Sequence, residues 1–196
     1  MRGSVFINIK KAGTQYFTSC DECSKDCCSA PKVIFAPLIL EDFEHVYENF
    51  LIQFAYIGEE LRILMVINDG SSSCVYYVNN RCQIYEQRPP ACRMFPISPY
   101  FDQFFINMDC EALNTKKQGE LICKEDMFNE KFFHPRVDNF IEKLDKTKNF
   151  LNTIENSLVP SIVIAGLQLY NYNGDLENTH INMHKKSLKH IKTFSF

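Results

Sequence analysis

Arg81-Cys-Gln-Ile-Tyr-Glu-Gln-Arg-Pro-Pro-Ala-Cys-Arg-Met-Phe-Pro96 sets Cys82 and Cys92 among three arginines and three prolines. It is the end of one of two cysteine groups, Cys20-x2-Cys23-x3-Cys27-Cys28 and Cys74-x7-Cys82-x9-Cys92, which together hold seven of the nine cysteines in the chain. Thiols this dense read as ligands for a soft metal or an iron–sulfur cluster. A disulfide framework fits poorly. An odd number of cysteines leaves one out, and 196 residues with 45% hydrophobic content can bury a core unaided. The N-terminal Met-Arg-Gly-Ser-Val-Phe-Ile-Asn has too short an apolar run for a signal sequence. The expected location is therefore the cytoplasm, where thiols stay reduced.

Cys20, Cys23 and Cys27 fall at i, i+3 and i+7, which lines one face of a helix, and in a loop the C-x2-C knuckle wraps a metal equally well. The neighbouring Cys27 and Cys28 diverge, which suits two metals, a multi-iron cluster, or one ligand with a spare thiol. Cys74, Cys82, Cys92 and Cys110 complete an expected metal set of eight with Cys20, Cys23, Cys27 and Cys28. Zinc wants closed sets of four, whereas iron–sulfur clusters accept four thiolates, or three with an open iron. The spacing admits both metals. The preference for an iron–sulfur cluster rests on more thiols than one zinc needs. Several thiolates carry a large negative charge that Arg81, Arg88 and Arg93 are placed to offset, and Arg88, Arg93 and Tyr85 are the expected cofactor contacts. Tyr85 and Glu86 have the chemistry of an acid or base, but packing over sulfur for one and an arginine pair for the other weigh more, and no catalytic residue is assigned.

Cys20-x2-Cys23-x3-Cys27-Cys28, then Cys74, then Cys82-x-Ile84-Tyr85-Glu86-x-Arg88-Pro89-x2-Cys92-Arg93-x-Phe95-Pro96 resembles the YkgJ-type cysteine-cluster proteins, a zinc- or iron-chelating family that includes the flagellin lysine-N-methylases. Many members carry C-x2-C-x2-C-C, and the extra residue here is similar to the flagellin-methylase variant. The resemblance runs from about Cys20 to Cys110 and implies a metallo-cysteine domain. In one branch it implies lysine methylation of a protein substrate with S-adenosylmethionine. The seven glycines are isolated, so no glycine-rich cosubstrate turn exists, and such an activity would have to rest on the cluster itself.

The expected fold class is α+β: a small cysteine-rich metal-binding core with short strands over residues 1–125, and a helical extension over 126–196 packed on it. Phe43, Val46, Tyr47, Phe50, Leu51 and Phe54 recur at helical spacing and predict a helix over Leu40–Ala55. Leu61–Asn68, Cys74–Val78 and Phe104–Met108 read as strands, and Pro90–Phe95 as one or two helical turns. A helical stretch interrupted at Pro135 is expected to follow Cys123, then a periodic segment from Val137 to Ile154 and an amphipathic one over Leu176–Ile191.

A net charge of −3 argues against nucleic acid, and apolar windows such as Leu158–Leu167 are too short to span a membrane. A protein substrate or partner is the remaining expectation. Lys185, Lys186, Lys189 and Lys192 read as a solvated helix face. His180 and His184 share a helical face without a glutamate between them and read as structural. Cys123, far from other cysteines, is expected to be a bystander, a small buried hydrophobe or a reactive thiol that labels before the metal-bound ones.

Overall fold

Leu51–Ile57, expected inside a helix, is a strand in the computed structural model, which describes residues 6–19, 28, 33–100, 103–125, 127–129 and 137–194. All five side chains of Leu51–Ala55 are buried, so both faces of the strand are covered and the alternation that marks a half-exposed strand is missing. A continuous apolar run also satisfies the helical template, and its period cannot separate the two. The helical part shrinks to a 3₁₀ turn, Leu40–Asp42, and the short helix Phe43–Val46, whose Phe43 and Val46 are fully buried.

Two units make up the chain, each from two stretches: Cys28–Ala91 with Ile141–Phe196, and Met1–Cys27 with Cys92–Phe140. In the first, a five-stranded antiparallel sheet runs in the order Leu158–Ile164, Leu167–Tyr172, Leu51–Ile57, Glu60–Val66, Phe35–Leu38. Helix Phe140–Ile154 buries Leu144, Thr147, Leu151 and Ile154 at helical spacing, and Glu142 and Lys146 form a 2.6 Å ion pair on its outer face. The Thr147 hydroxyl accepts from Leu40 N–H at 3.1 Å, which fixes the 3₁₀ turn to this helix. Helix Thr179–Ser187 starts at Asn178, whose side chain accepts from Ile181 N–H.

Strand Leu51–Ile57 pairs along its length with Glu60–Val66, whereas its backbone register with Leu167–Tyr172 is the single pair Phe54 and Tyr170, beside which Gln53 donates to Asn171 at 2.7 Å. Side chains of the last helix take up Ile52's backbone instead. Ile52 N–H donates to Ser187 Oγ at 3.0 Å, and His184 Nδ1 lies 2.9 Å from Ile52 O. His184 Nε2 accepts from Tyr172 N–H at 3.3 Å, so the proton sits on Nδ1. Three buried backbone groups are thereby satisfied by two side chains of one helix face.

The other unit holds two small sheets. Gln103–Asn107 lies between Phe6–Asn8 and Ile97–Tyr100, while Gln15–Phe17 and Glu120–Lys124 form the centre of a four-stranded sheet with Leu113–Asn114 and Met127–Phe128 at its edges. Ile9, Met94, Ile97, Ile106, Ile122 and Cys123 are buried together, and Phe104 stacks on Phe128 beside them. Cys123 therefore sits in a strand and not at the head of a helix. Gly119, at φ +91°, passes so close to Phe17 that an added Cβ would lie 2.1 Å from its carbonyl oxygen.

Strand-rich segments before helices concentrated toward the C-terminus make this an α+β fold. The hairpin Leu158–Tyr172 adds strands to the part of the chain expected to be helical. Among the described residues no helix is long and apolar enough to cross a membrane.

Candidate metal centre

The sheet itself leads into the cysteines. Phe35 is in register with Val66; beyond that pair Ile67 N–H donates to Ile34 O at 2.9 Å, and the buried Asn68 side chain donates to Val33 O at 2.8 Å. Asn68 Oδ1 also accepts from Gly70 N–H, which turns the chain toward Cys74. The next link joins the two cysteine groups: Cys74 N–H donates to Cys28 O at 2.8 Å. Between Asn68 and Cys74, the Asp69 carboxylate accepts from the backbone N–H and hydroxyl groups of Ser72 and Ser71, with distances of 2.7 to 2.9 Å. Those donors, the Ser72 N–H foremost, hold its pKa well below the usual carboxylate range.

From Cys74 the chain enters a two-stranded hairpin, Tyr77–Val78 with Arg81–Cys82, in which Tyr77 stands opposite Cys82. The two residues between the strands, Asn79 and Asn80, both have positive φ, at 51° and 60°. Asparagine tolerates that conformation and this is what a tight hairpin turn demands, so Asn79-Asn80 is the sequence signal that fixes where Cys82 lies, and the sequence reading passed over it. Tyr77 N–H donates to Cys74 O at 2.8 Å and Gln83 N–H to Tyr76 O at 2.8 Å, closing the hairpin on the cysteine before it. Tyr76 packs edge-on against Phe50, and its hydroxyl donates to the Asn49 side chain at 3.2 Å.

Cys28, Cys74 and Cys82 are thus drawn near enough for their charges to act on one another. Burial, the largest cause, pushes the Cys74 thiol up to about 11; the backbone N–H groups of Tyr76 and Tyr77 oppose it, and the neighbouring Cys28 and Cys82 add to it. Burial also raises the Cys82 thiol, against the N–H of Ile84 and the positive charge of Arg88. Buried thiols near one another are costly to ionise, yet the sulfur anion is favoured at Cys74 by the backbone N–H groups of Tyr76 and Tyr77 and at Cys82 by that of Ile84. That combination suits a thiolate whose charge a metal shares. The Arg88 guanidinium carbon lies over the Tyr85 ring, 3.6 Å from its centroid, and Arg88 Nε donates to Tyr85 O at 3.0 Å.

Cys92 lies on the helical turn Pro90–Arg93, with Arg93 exposed beside it. Cys110 follows strand Gln103–Asn107 in a turn where its N–H donates to Asn107 O at 3.3 Å and its carbonyl accepts from Leu113 N–H at 3.1 Å. Cys20, Cys23 and Cys27 lie outside the described residues. Among the described residues no set of three or more His, Cys, Asp and Glu side chains stands close enough to hold a metal ion.

Cys123 is fully buried and its thiol donates to Gly13 O at 3.2 Å, so of its two expected settings it takes that of a small buried hydrophobe, which speaks against early labelling. His184 is bound at both ring nitrogens and His180 packs edge-on against Phe43 and Phe150, which gives both structural roles.

A convergence of thiols from both cysteine groups, supported by sulfur-directed backbone N–H groups and an arginine, has the donor chemistry of a zinc or iron site. The family model CxxCxxCC, described as a "putative zinc- or iron-chelating domain", matches residues 19–132. Neither a curated protein nor a solved structure matches the chain significantly. The match spans more than half of the chain and takes in both cysteine groups, the hairpin and the turn bearing Cys110, and by it the chain belongs to the CxxCxxCC family of metal-chelating cysteine-cluster proteins.

Proposed function

We propose that Cys28, Cys74 and Cys82, with thiols of the Cys20–Cys27 group that precedes Cys28 in sequence, hold an iron–sulfur centre, and that the protein uses it to modify a protein substrate. The observation that carries the reading is the hydrogen bonding aimed at sulfur: Cys74 receives it from Tyr76 and Tyr77, and Cys82 from Ile84. Such donors stabilise thiolate ligands and tune a bound cluster. What supports a cluster over a single zinc is the number of thiols, since the first group, Cys74 and Cys82 already exceed the four that close a tetrahedral zinc site. A bound cluster would supply electron transfer or an open iron for a cosubstrate. This chain's residues supply the rest: Arg88 balances thiolate charge at Cys82, and Tyr85, stacked on Arg88, keeps the guanidinium in place. The reaction class, methyl transfer from S-adenosylmethionine to a lysine, is supported by the resemblance to the flagellin-methylase branch.

Anaerobically purified protein is expected to be brown, to absorb at about 400 nm and to contain iron and sulfide in stoichiometric amounts. Cys74→Ala is expected to lose most of that iron and to lower the unfolding temperature, because ligand binding contributes directly to folding. Colourless protein that takes up zinc alone after anaerobic reconstitution would overturn the cluster. Iron-loaded protein with no measurable affinity for S-adenosylmethionine in calorimetry would overturn the methyl-transfer part and leave the cluster standing.

A further inference from the structure

Residues 178–196 contain four lysines and no aspartate or glutamate, in a chain whose net charge is −3, so the rest of the protein is more acidic still. Lys185 and Lys186 close helix Thr179–Ser187, and Lys189 and Lys192 follow in the 3₁₀ stretch Leu188–Thr193. All four are exposed. Lys189 and Lys192 are three apart in the 3₁₀ stretch, the spacing at which side chains eclipse, and Lys186, in the last turn of the α-helix, precedes Lys189 by the same interval, so the three succeed one another along the segment. The inner side is fixed. Ile181, His184 and Ser187 are buried, and Phe194 packs with Leu51 and Ala55, with Leu188 and Ile191 against them. Lys186 Nζ lies 5.9 Å from the centroid of the Tyr47 ring, and among the described residues none of the four lysines forms an ion pair.

Cations at a helix C-terminus suit its dipole, which accounts for Lys185 and Lys186. It does not account for Lys189 and Lys192, which lie beyond the α-helical turns. One carboxylate, Glu48, accepts from the Tyr47 hydroxyl at 3.0 Å and so borders the strip beside Lys186; burial lowers the His190 pKa, and the Lys189 charge lowers it further.

We propose that the row Lys186, Lys189 and Lys192, flanked by Lys185, is a docking strip for an acidic segment of a partner protein. Alternate residues of an extended chain repeat at about 7 Å, and residues three apart in a 3₁₀ helix at about 6 Å, so alternate carboxylates of an extended peptide fall against successive ammonium groups. The chemistry favours a protein over the other polyanions. The strip contains no arginine for bidentate phosphate contacts and no exposed aromatic ring for base stacking. None of the large exposed apolar side chains falls within Thr179–Thr193, so the strip has nothing to insert into a bilayer. With acidic surface elsewhere, the strip also orients what it binds, since an acidic segment is repelled from the remainder of the chain. The inference does not depend on which metal the cysteines hold.

The test is fluorescence anisotropy of a labelled peptide of alternating Glu and Ser residues against the full, metal-loaded chain. Binding is expected to weaken about tenfold or more in the triple variant Lys186→Gln, Lys189→Gln, Lys192→Gln, and by a similar factor between roughly 50 and 300 mM salt. A control with three other exposed lysines replaced, Lys116→Gln, Lys117→Gln and Lys148→Gln, is expected to bind like the wild type. Circular dichroism establishes that both variants fold. Unchanged affinity in the first variant, an equal loss in the control, or tighter binding to duplex DNA or to phosphatidylserine vesicles than to the peptide would overturn the proposal.

Discussion

Replacing His184 with glutamine tests how the last helix is held to the sheet, and its effect is readable as a function of pH. The neutral ring donates from Nδ1 to Ile52 O at 2.9 Å, accepts at Nε2 from Tyr172 N–H at 3.3 Å, and packs with its centroid 4.8 Å from that of Phe54. A protonated imidazole carries hydrogen on both nitrogens and cannot accept from Tyr172. Burial pushes the His184 pKa down to about 4 from an ordinary 6.5. Below pH 6.5 the unfolded chain therefore takes up a proton that the folded chain refuses. The stability contributed by the neutral ring is complete above 6.5 and is lost progressively as the pH falls toward 4. Between pH 7.5 and pH 5, linkage makes that loss about 2 kcal/mol.

Urea unfolding followed by circular dichroism at those two pH values measures it. Glutamine can donate to one backbone group and accept from the other but does not titrate, while the cysteines and the remaining groups titrate alike in both proteins. The wild type is expected to lose about 2 kcal/mol more than His184→Gln over this interval. Equal losses in the two proteins would refute the reasoning, because a ring that protonates freely in the folded state cannot be the acceptor for Tyr172.

Two further outcomes follow from the other unit. Gly119→Ala forces a Cβ to within 2.1 Å of Phe17 O, whereas at Gly13, also at positive φ, an added Cβ meets nothing within 4 Å. Both variants incur the backbone penalty of roughly 1–2 kcal/mol, and the unfolding midpoint in urea is expected to fall well further for Gly119→Ala, since strand Gln15–Phe17 must shift from Glu120–Lys124. Alkylation with iodoacetamide followed by mass spectrometry is expected to leave the fully buried Cys123 unmodified in folded protein and to modify it only in urea.

The sequence made the chemistry legible before the geometry, and particular residues show why. Metal ligation is written in residue type: few side chains other than cysteine suit a soft metal, so the two groups declared themselves wherever the fold put them. The turn Pro90–Arg93 and the strand Glu60–Val66 were legible because proline, Gly58 and a β-rich run act locally. Leu51–Ile57 was not, because burial on both faces erased the period that distinguishes a strand. The setting of Cys123 was not legible either. Glu-Leu-Ile-Cys-Lys is too short to show a period, and its partner strand Gln15–Phe17 lies about a hundred residues earlier.

Asn68 shows what residue type alone cannot convey. As a sequence signal, Asn-Asp-Gly announces only a turn. In the fold its side chain donates to Val33 O and accepts from Gly70 N–H, and so continues the pairing of the two strands for one more residue on each side after the strands themselves have ended. Phe35 with Val66, Ile34 with Ile67 and Val33 with Asn68 continue the sheet pairing past its strand ends, and Cys74 is tied to Cys28 by a backbone hydrogen bond of its own. The turn that leads into Cys74 is thus anchored to the sheet through Asn68. The same end of the sheet is fixed in turn by the His184 and Ser187 contacts to Ile52, which stands on the central strand opposite Met65, next to Val66. The C-terminal helix, remote in sequence from every cysteine, therefore belongs to the structure that positions Cys74.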